Sequence, residues 1–275
     1  MTMILWQKQA TAEWLAFNEP QLEEIAGLDL AVIARPGRTR SLVQAVCPRR
    51  AKAERLQRNF GGTVKVLPSK WSPVSPPHPP IRIGRRLEIV SEPTPSPGPD
   101  NKLQLLIPAA GAFGTGEHAT TAMSLRLLEE ATRKLPTGWR LLDAGTGTGI
   151  LALAARRLGA AEVFGLDIGP HAVAHACQNA RLNHIGRTKF ITADILRWKP
   201  HTRYEVVTAN LYSELLVAAL PILRRALRSS GCLIVSGILR EQTESVVHAL
   251  AKARFRLVQQ RRRGKWIALL AFRKS

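Results

Sequence analysis

Residues 140–167 read RLLDAGTGTGILALAARRLGAAEVFGLD, and few architectures accommodate such a run. Arg140–Leu142 opens an apolar stretch that stops at Asp143. Gly145-Thr146-Gly147-Thr148-Gly149 follows, then Ile150–Leu158, apolar and alanine-rich with no breaker before Gly159. Val163–Leu166 is a second apolar stretch, closed by Asp167. Strand, tight loop, helix, strand and acid form a βαβ unit. Glycines let the loop turn sharply and let a ligand approach the backbone. The helix behind the loop offers free N–H groups and partial positive charge to an anion. An acid ending the second strand stands where ribose hydroxyls can donate to it.

Two cofactor readings fit this unit. Gly147-Thr148-Gly149-Ile150-Leu151-Ala152 satisfies the permissive dinucleotide fingerprint, with Asp167 at about the expected spacing. Alternatively, Asp143, Gly145, Gly147 and Gly149 form one acid-x-Gly-x-Gly-x-Gly string. This string resembles the first motif of the Rossmann-like S-adenosylmethionine (SAM) methyltransferases. In that reading the loop wraps the methionine end of SAM and Asp167 holds the ribose. It accounts for an acid at both strand ends, which a merely structural glycine turn does not.

Downstream, strands are expected at Lys189–Ala193, ending in Asp194, at Tyr204–Thr208, leading into Asn210, and at Cys232–Ser236. Helices are expected over Gly169–Ala180, over Glu214–Leu227 with an interruption at Pro221, and over Glu241–Ala253. Arg256–Gln260 and Trp266–Phe272 read as an antiparallel pair across Gly264. The alternation predicts an α/β domain with a mostly parallel sheet and helices on both faces. A terminal hairpin is the usual ending of the methyltransferase fold, whereas dinucleotide domains continue in parallel. Upstream, GAFGTGEHATT (residues 111–121) precedes a helix from Ala122, with Thr120 or Thr121 as its cap. His118 has no second histidine at ligand spacing, so no metal site is expected.

Residues 1–70 predict a small α+β domain, with strands near 28–34, 41–46 and 63–67 and helices at 19–25 and 49–60. Ten of the 18 prolines fall between Pro68 and Pro99, which marks 71–100 as a stiff linker or connector. Within it Ile81–Val90 alternates as one strand, and Leu103–Ile107 is its partner. Residues 101–275 form the larger domain. No apolar run spans a membrane or makes a signal peptide. Three scattered cysteines fit a reducing cytoplasm. The net charge of +20 favours contact with nucleic acid or a nucleoprotein particle, or else marks an arginine-rich solvated surface. Arg261-Arg262-Arg263 and Lys265 are its densest run, with no RNA-reading aromatic motif beside them.

GAFGTGEHATT, LLDAGTGTGIL with GLD following, and TANLYSELL, in this order, closely resemble the bacterial methyltransferases of large-subunit ribosomal protein eleven. PPIRIGRRLEI resembles that family's connector. The likeness covers about His78 to Ile238. It implies a ferredoxin-like N-terminal domain that grips the ribosomal protein, and a SAM-dependent domain that methylates lysine side chains and the terminal amine. The family's cofactor contacts fall on Thr121, Gly145, Asp167 and Asn210, and Asp194 either caps its turn or faces the adenine. Asn210, aided by Tyr212, would orient the neutral amine, and Glu117 and His118 are candidates for a base. Departures are Glu117-His118-Ala119 for threonine-histidine-proline, Asn210-Leu211-Tyr212 for a more aliphatic asparagine-isoleucine-leucine, and a short N-terminal region. Other readings are a methyltransferase of a different protein or of RNA, and a non-catalytic SAM- or ribosome-binding module.

Overall fold

The computed structural model describes residues 4–26, 30–33, 39–47, 49–67, 79–93, 102–108, 116 and 118–274. They fall into two compact units, one ending at residue 67 and the other beginning at residue 79. Arg35-Pro36-Gly37, the proline runs on either side of residues 79–93, and Phe113-Gly114-Thr115 and Glu117 of the upstream motif lie outside the described residues.

The first unit runs β1 (Ile4–Thr11), α1 (Ala12–Ala26), β2 (Leu30–Ile33), β3 (Arg40–Cys47), α2 (Arg50–Phe60) and β4 (Thr63–Val66). The sheet order is β2-β3-β1-β4 with every neighbouring pair antiparallel, the split βαββαβ of the ferredoxin-like fold. Alternation along β1 buries Ile4, Trp6 and Ala10, and the 3.6-residue period of α2 buries Ala53, Leu56 and Phe60 against them. Trp6 is fully buried, so its indole N–H needs an acceptor, and the Gly61 carbonyl supplies one at 2.8 Å. The expected α1 was shorter, starting at Glu19, and β1 was not expected. Its Gln7-Lys8-Gln9 stretch hides the alternation around Trp6.

The second unit opens with β5 (Ile81–Ile83) and β6 (Leu87–Val90), an antiparallel hairpin, and β7 (Leu103–Leu106), parallel to β6. One continuous strand was expected over 81–90. Gly84 breaks it with φ +56, so that Ile81 pairs with Ile89. Within the expected connector, Ile83, Leu87 and Ile89 lie in the main core with Leu105 of β7, all at 2% exposure or less. Beyond β7 come α3 (Ala119–Ala131), β8 (Arg140–Ala144), α4 (Ile150–Arg157), β9 (Glu162–Asp167), α5 (Pro170–Leu182), β10 (Thr188–Thr192), β11 (Tyr204–Asn210), α6 (Ser213–Ala226), β12 (Leu227–Leu239), α7 (Thr243–Lys252), β13 (Phe255–Arg263) and β14 (Trp266–Arg273). α6 continues through Pro221, whose missing N–H falls on the exposed face.

The large sheet has the order β10-β9-β8-β11-β12-β14-β13. Its first five strands are parallel, and β14 runs antiparallel to β12 and β13, as the terminal hairpin predicts. Both faces are covered. Leu141, Val206, Ile234 and Ala268 pack towards α3 and α4, while Leu142, Val207, Leu233 and Leu269 pack towards α6 and α7. Such double burial gives parallel strands their nearly continuous apolar runs. α5 spans two polar anchor points. Asn179 donates to the Thr148 carbonyl at 2.9 Å, and Asn183, just past the helix end, both donates to and accepts from the Leu106 backbone of β7 at 2.7 Å. No described helix is long and apolar enough to cross a membrane.

Candidate active site

The chain reverses its direction of travel across the sheet between β8 and β11. In open α/β sheets the carboxyl ends of the strands at such a reversal form the binding crevice. β8 brings Asp143 and the glycine loop to this edge, β9 brings Asp167, and β11 brings Asn210.

Gly145, Gly147 and Gly149 all have left-handed φ, at +72, +54 and +79. A Cβ at Gly145 would lie 2.4 Å from Leu211 Cδ2, so two constraints select glycine there. The N–H groups of Gly145 and Thr146 donate to the Leu166 carbonyl at 2.8 and 3.0 Å, which ties the loop to β9. Asp143 lies beneath the loop at 1% exposure. Its carboxylate accepts from the Thr146 hydroxyl at 2.8 Å and the Thr208 hydroxyl at 2.6 Å. Burial pushes its carboxyl up to about 6 against the pull of those donors. Asp143 thus holds the loop's shape from below.

Asp167 ends β9 with one oxygen accepting from Gly147 N–H at 2.9 Å and the other from Gly169 N–H at 3.0 Å. A carboxylate has about four acceptor sites, so both oxygens keep capacity for further donors. The neighbouring Ile168 is 74% exposed, an apolar surface on the same edge. Asp194 closes its own turn, with Oδ1 accepting from Leu196 N–H at 2.9 Å and its carbonyl accepting from the N–H groups of Arg197 and Trp198.

Asn210 donates through Nδ2 to Thr120 Oγ1 at 3.3 Å, and His118 Nδ1 lies 2.7 Å from the same hydroxyl. His118, not Thr120 or Thr121, holds the cap position of α3, and both threonines lie within the first turn at 1% exposure. The His118 ring meets Trp266 edge-on, with centroids 5.2 Å apart. Burial, and then the charges of Lys265 and Arg263, hold His118 below the usual imidazole range. Thr121 Oγ1 is buried with no hydrogen-bond partner among the described residues. Tyr212 caps α6 through its backbone and is 78% exposed.

Sequence reasoning missed the tie between Thr120 and Asn210, 90 residues apart, for which no local pattern exists. It also missed Leu211, wedged so closely that a Cβ at Gly237 would lie 2.3 Å from its carbonyl oxygen. The two glycines bracketing it were the available signal. No group of three or more His, Cys, Asp or Glu side chains among the described residues can hold a metal ion.

The reversal point, the glycine loop tied from below and the antiparallel ending define the Rossmann-like methyltransferase class of fold. Residues 8–274 match the family described as Ribosomal protein L11 methyltransferase (PrmA), and the chain belongs to that family. A ribosomal protein L11 methyltransferase of Pelobacter propionicus is 41% identical over 196 residues, covering 70% of this chain and 62% of the relative. One from Thermus thermophilus is 37% identical over 168 residues, covering 61% and 64%. The crystal structure of a ribosomal protein L11 methylase from Lactobacillus delbrueckii subsp. bulgaricus superposes with a TM-score of 0.65 at 31% identity, covering 72% of this chain and all of that one. The matched region spans about three-fifths of the length of the first of these curated relatives.

Proposed function

We propose that this chain methylates amino groups, lysine side chains and the terminal amine, of the large-subunit ribosomal protein L11, with SAM as methyl donor, in the cytoplasm. The observation that carries the reading is Thr121 Oγ1, a buried hydroxyl without a partner among the described residues, at the edge where Asn210 and the glycine loop converge. An orphaned buried hydroxyl costs about 1–3 kcal/mol and is retained where a ligand completes it. SAM supplies an electrophilic methyl group on a sulfonium centre. Gly145 leaves room for close approach, Asp167 has acceptor capacity for ribose hydroxyls, and Thr121 and Asn210 offer hydrogen bonds to the polar methionine end.

A lysine amine with a reference pKa of about 10.4 must be neutral to attack. A water-poor crevice favours that form, and alignment of the reactants supplies much of the rate. Asn210 Oδ1 accepts from the amine and orients it. Of the two base candidates, Glu117 lies outside the described residues, and His118 Nδ1 is engaged with the Thr120 hydroxyl. Labelled methyl groups from SAM should enter one small large-subunit protein when ribosomal fractions lacking this modification are treated with the chain. Asn210→Ala should bind SAM more weakly and transfer none. Label in RNA would replace the substrate, and SAM binding without transfer would favour a binding module.

The cationic surface supports a further contact with ribosomal RNA. Arg256, Arg262 and Arg263 are exposed along the sheet-edge strand β13, beside Lys265. Affinity for ribosomal particles should fall steeply with salt, and neutralising Arg262 and Arg263 should flatten that slope by about two counterions.

A further inference from the structure

We propose that Thr120 is a positioning residue that fixes which end of the Asn210 amide faces the amine substrate. This rests on the reading of Asn210 as the group that orients the amine.

A threonine hydroxyl has a single proton to give. Asn210 reaches Thr120 Oγ1 through Nδ2, which only donates, so the hydroxyl accepts there. Its own proton is then directed to its other close neighbour, His118 Nδ1, at 2.7 Å. Nδ1 must accept, so a neutral His118 carries its hydrogen on Nε2. The chain therefore has one polarity, from the Asn210 amide to the Thr120 hydroxyl to His118 Nδ1. Its consequence lies at the far end. With Nδ2 committed to Thr120, Oδ1 is the free end of the amide, and an acceptor is what a neutral amine's N–H requires.

The opposite polarity would place a hydrogen on His118 Nδ1, make Thr120 donate to Asn210 Oδ1, and turn the amide NH2 towards the substrate. Two donors would then face each other. The surroundings of His118 disfavour the imidazolium form of that arrangement. Among the described residues, Lys265 and Arg263 of the β13–β14 hairpin are charges that face the ring, Trp266 packs against its edge, and Thr120 approaches from its own helix. Thr120 itself is 1% exposed, so its hydroxyl is shielded from bulk water. Thr120 need not touch substrate or cofactor. It acts through Asn210.

The test combines Thr120→Val and Thr120→Ser with ¹⁵N-histidine spectra of the full chain. Valine keeps the shape and removes the hydroxyl, and serine restores it. We expect Thr120→Val to bind SAM within about threefold of wild type while kcat for methyl transfer falls at least about tenfold. Thr120→Ser should recover most of that loss. The wild-type spectrum should show His118 with a bare Nδ1 and a protonated Nε2. Wild-type kcat in Thr120→Val, or no rescue by a serine variant of unchanged thermal stability, would overturn the proposal. So would a proton on Nδ1, which is read without any activity. A wild-type chain that binds SAM but methylates no amine would instead overturn the transferase reading and the amine as the partner of Asn210, while the histidine spectrum still decides the polarity.

Discussion

Arg86 Nε lies 3.0 Å from Glu129 Oε1, and the same guanidinium donates to the Glu129 carbonyl at 2.6 Å and the Thr132 hydroxyl at 3.1 Å. Glu129 is fully buried, and Arg133 binds its other oxygen at 2.7 Å. The connector turn is thereby pinned to the helix whose first turn carries Thr120 and Thr121.

Removing that carboxylate leaves two half-exposed guanidinium groups without their counter-charge. Glu129→Gln should lose about 2–4 kcal/mol of stability, read by urea unfolding. Burial raises the Glu129 pKa, but hydrogen bonds from Arg133 and Arg86 outweigh it and the net shift is downward. A carboxylate with a depressed folded pKa stabilises above its unfolded pKa of about 4.5 and ceases to as pH falls through the lower folded value. Wild type should therefore lose more stability than Glu129→Gln between pH 5 and 3, and equal losses would show the pair to be inert.

Asp143 works in the opposite sense. Its pKa rises from 3.8 to about 6, so its contribution to stability is full below pH 3.8 and is lost as pH rises through 6, a change of about 3 kcal/mol. Asp143→Asn should remove this slope between pH 4 and 6 in unfolding titrations. Identical slopes for variant and wild type would place the carboxylate in contact with water.

Gly145→Ala meets both a left-handed φ and Leu211 Cδ2. The backbone alone costs about 1–2 kcal/mol, and the clash displaces either the loop or Leu211, with Asn210 next to it. SAM affinity, measured by calorimetry, should fall at least about tenfold. Unchanged affinity would mean that the loop's position is irrelevant to the ligand.

Thr121→Val separates stability from binding. Valine removes an orphaned hydroxyl, so the protein should unfold at equal or higher denaturant, with a gain of about 1 kcal/mol. SAM affinity should drop about tenfold through the lost hydrogen bond. Weaker folding with unchanged affinity would mean that the hydroxyl has a partner within the protein.

The sheet could be read from the chain because buried parallel strands are apolar throughout and their ends carry acids or glycines. Leu141-Leu142-Asp143 and Gly165-Leu166-Asp167 announce themselves. The connector's strands could be read as well, but not its burial, because ten prolines outweighed Ile83, Leu87 and Ile89, which pack against helices far along the chain. For the same reason Pro221 was over-read as a break. In the site, Asp143 and Asp167 look alike in sequence. Only burial separates the one that accepts from Thr146 and Thr208 below the loop from the one that accepts from backbone N–H groups on the open edge.

Asn179 and Asn183 stand one helical turn apart, one gripping the glycine loop at Thr148 and the other the backbone of Leu106. An asparagine amide offers the same donor and acceptor as a peptide group, so Asn183 takes the place of a further strand beside β7. Edge-strand groups that would otherwise be open to a foreign strand are engaged at Leu106 by a single side chain. One turn at the end of α5 thereby braces both a sheet edge and the glycine loop.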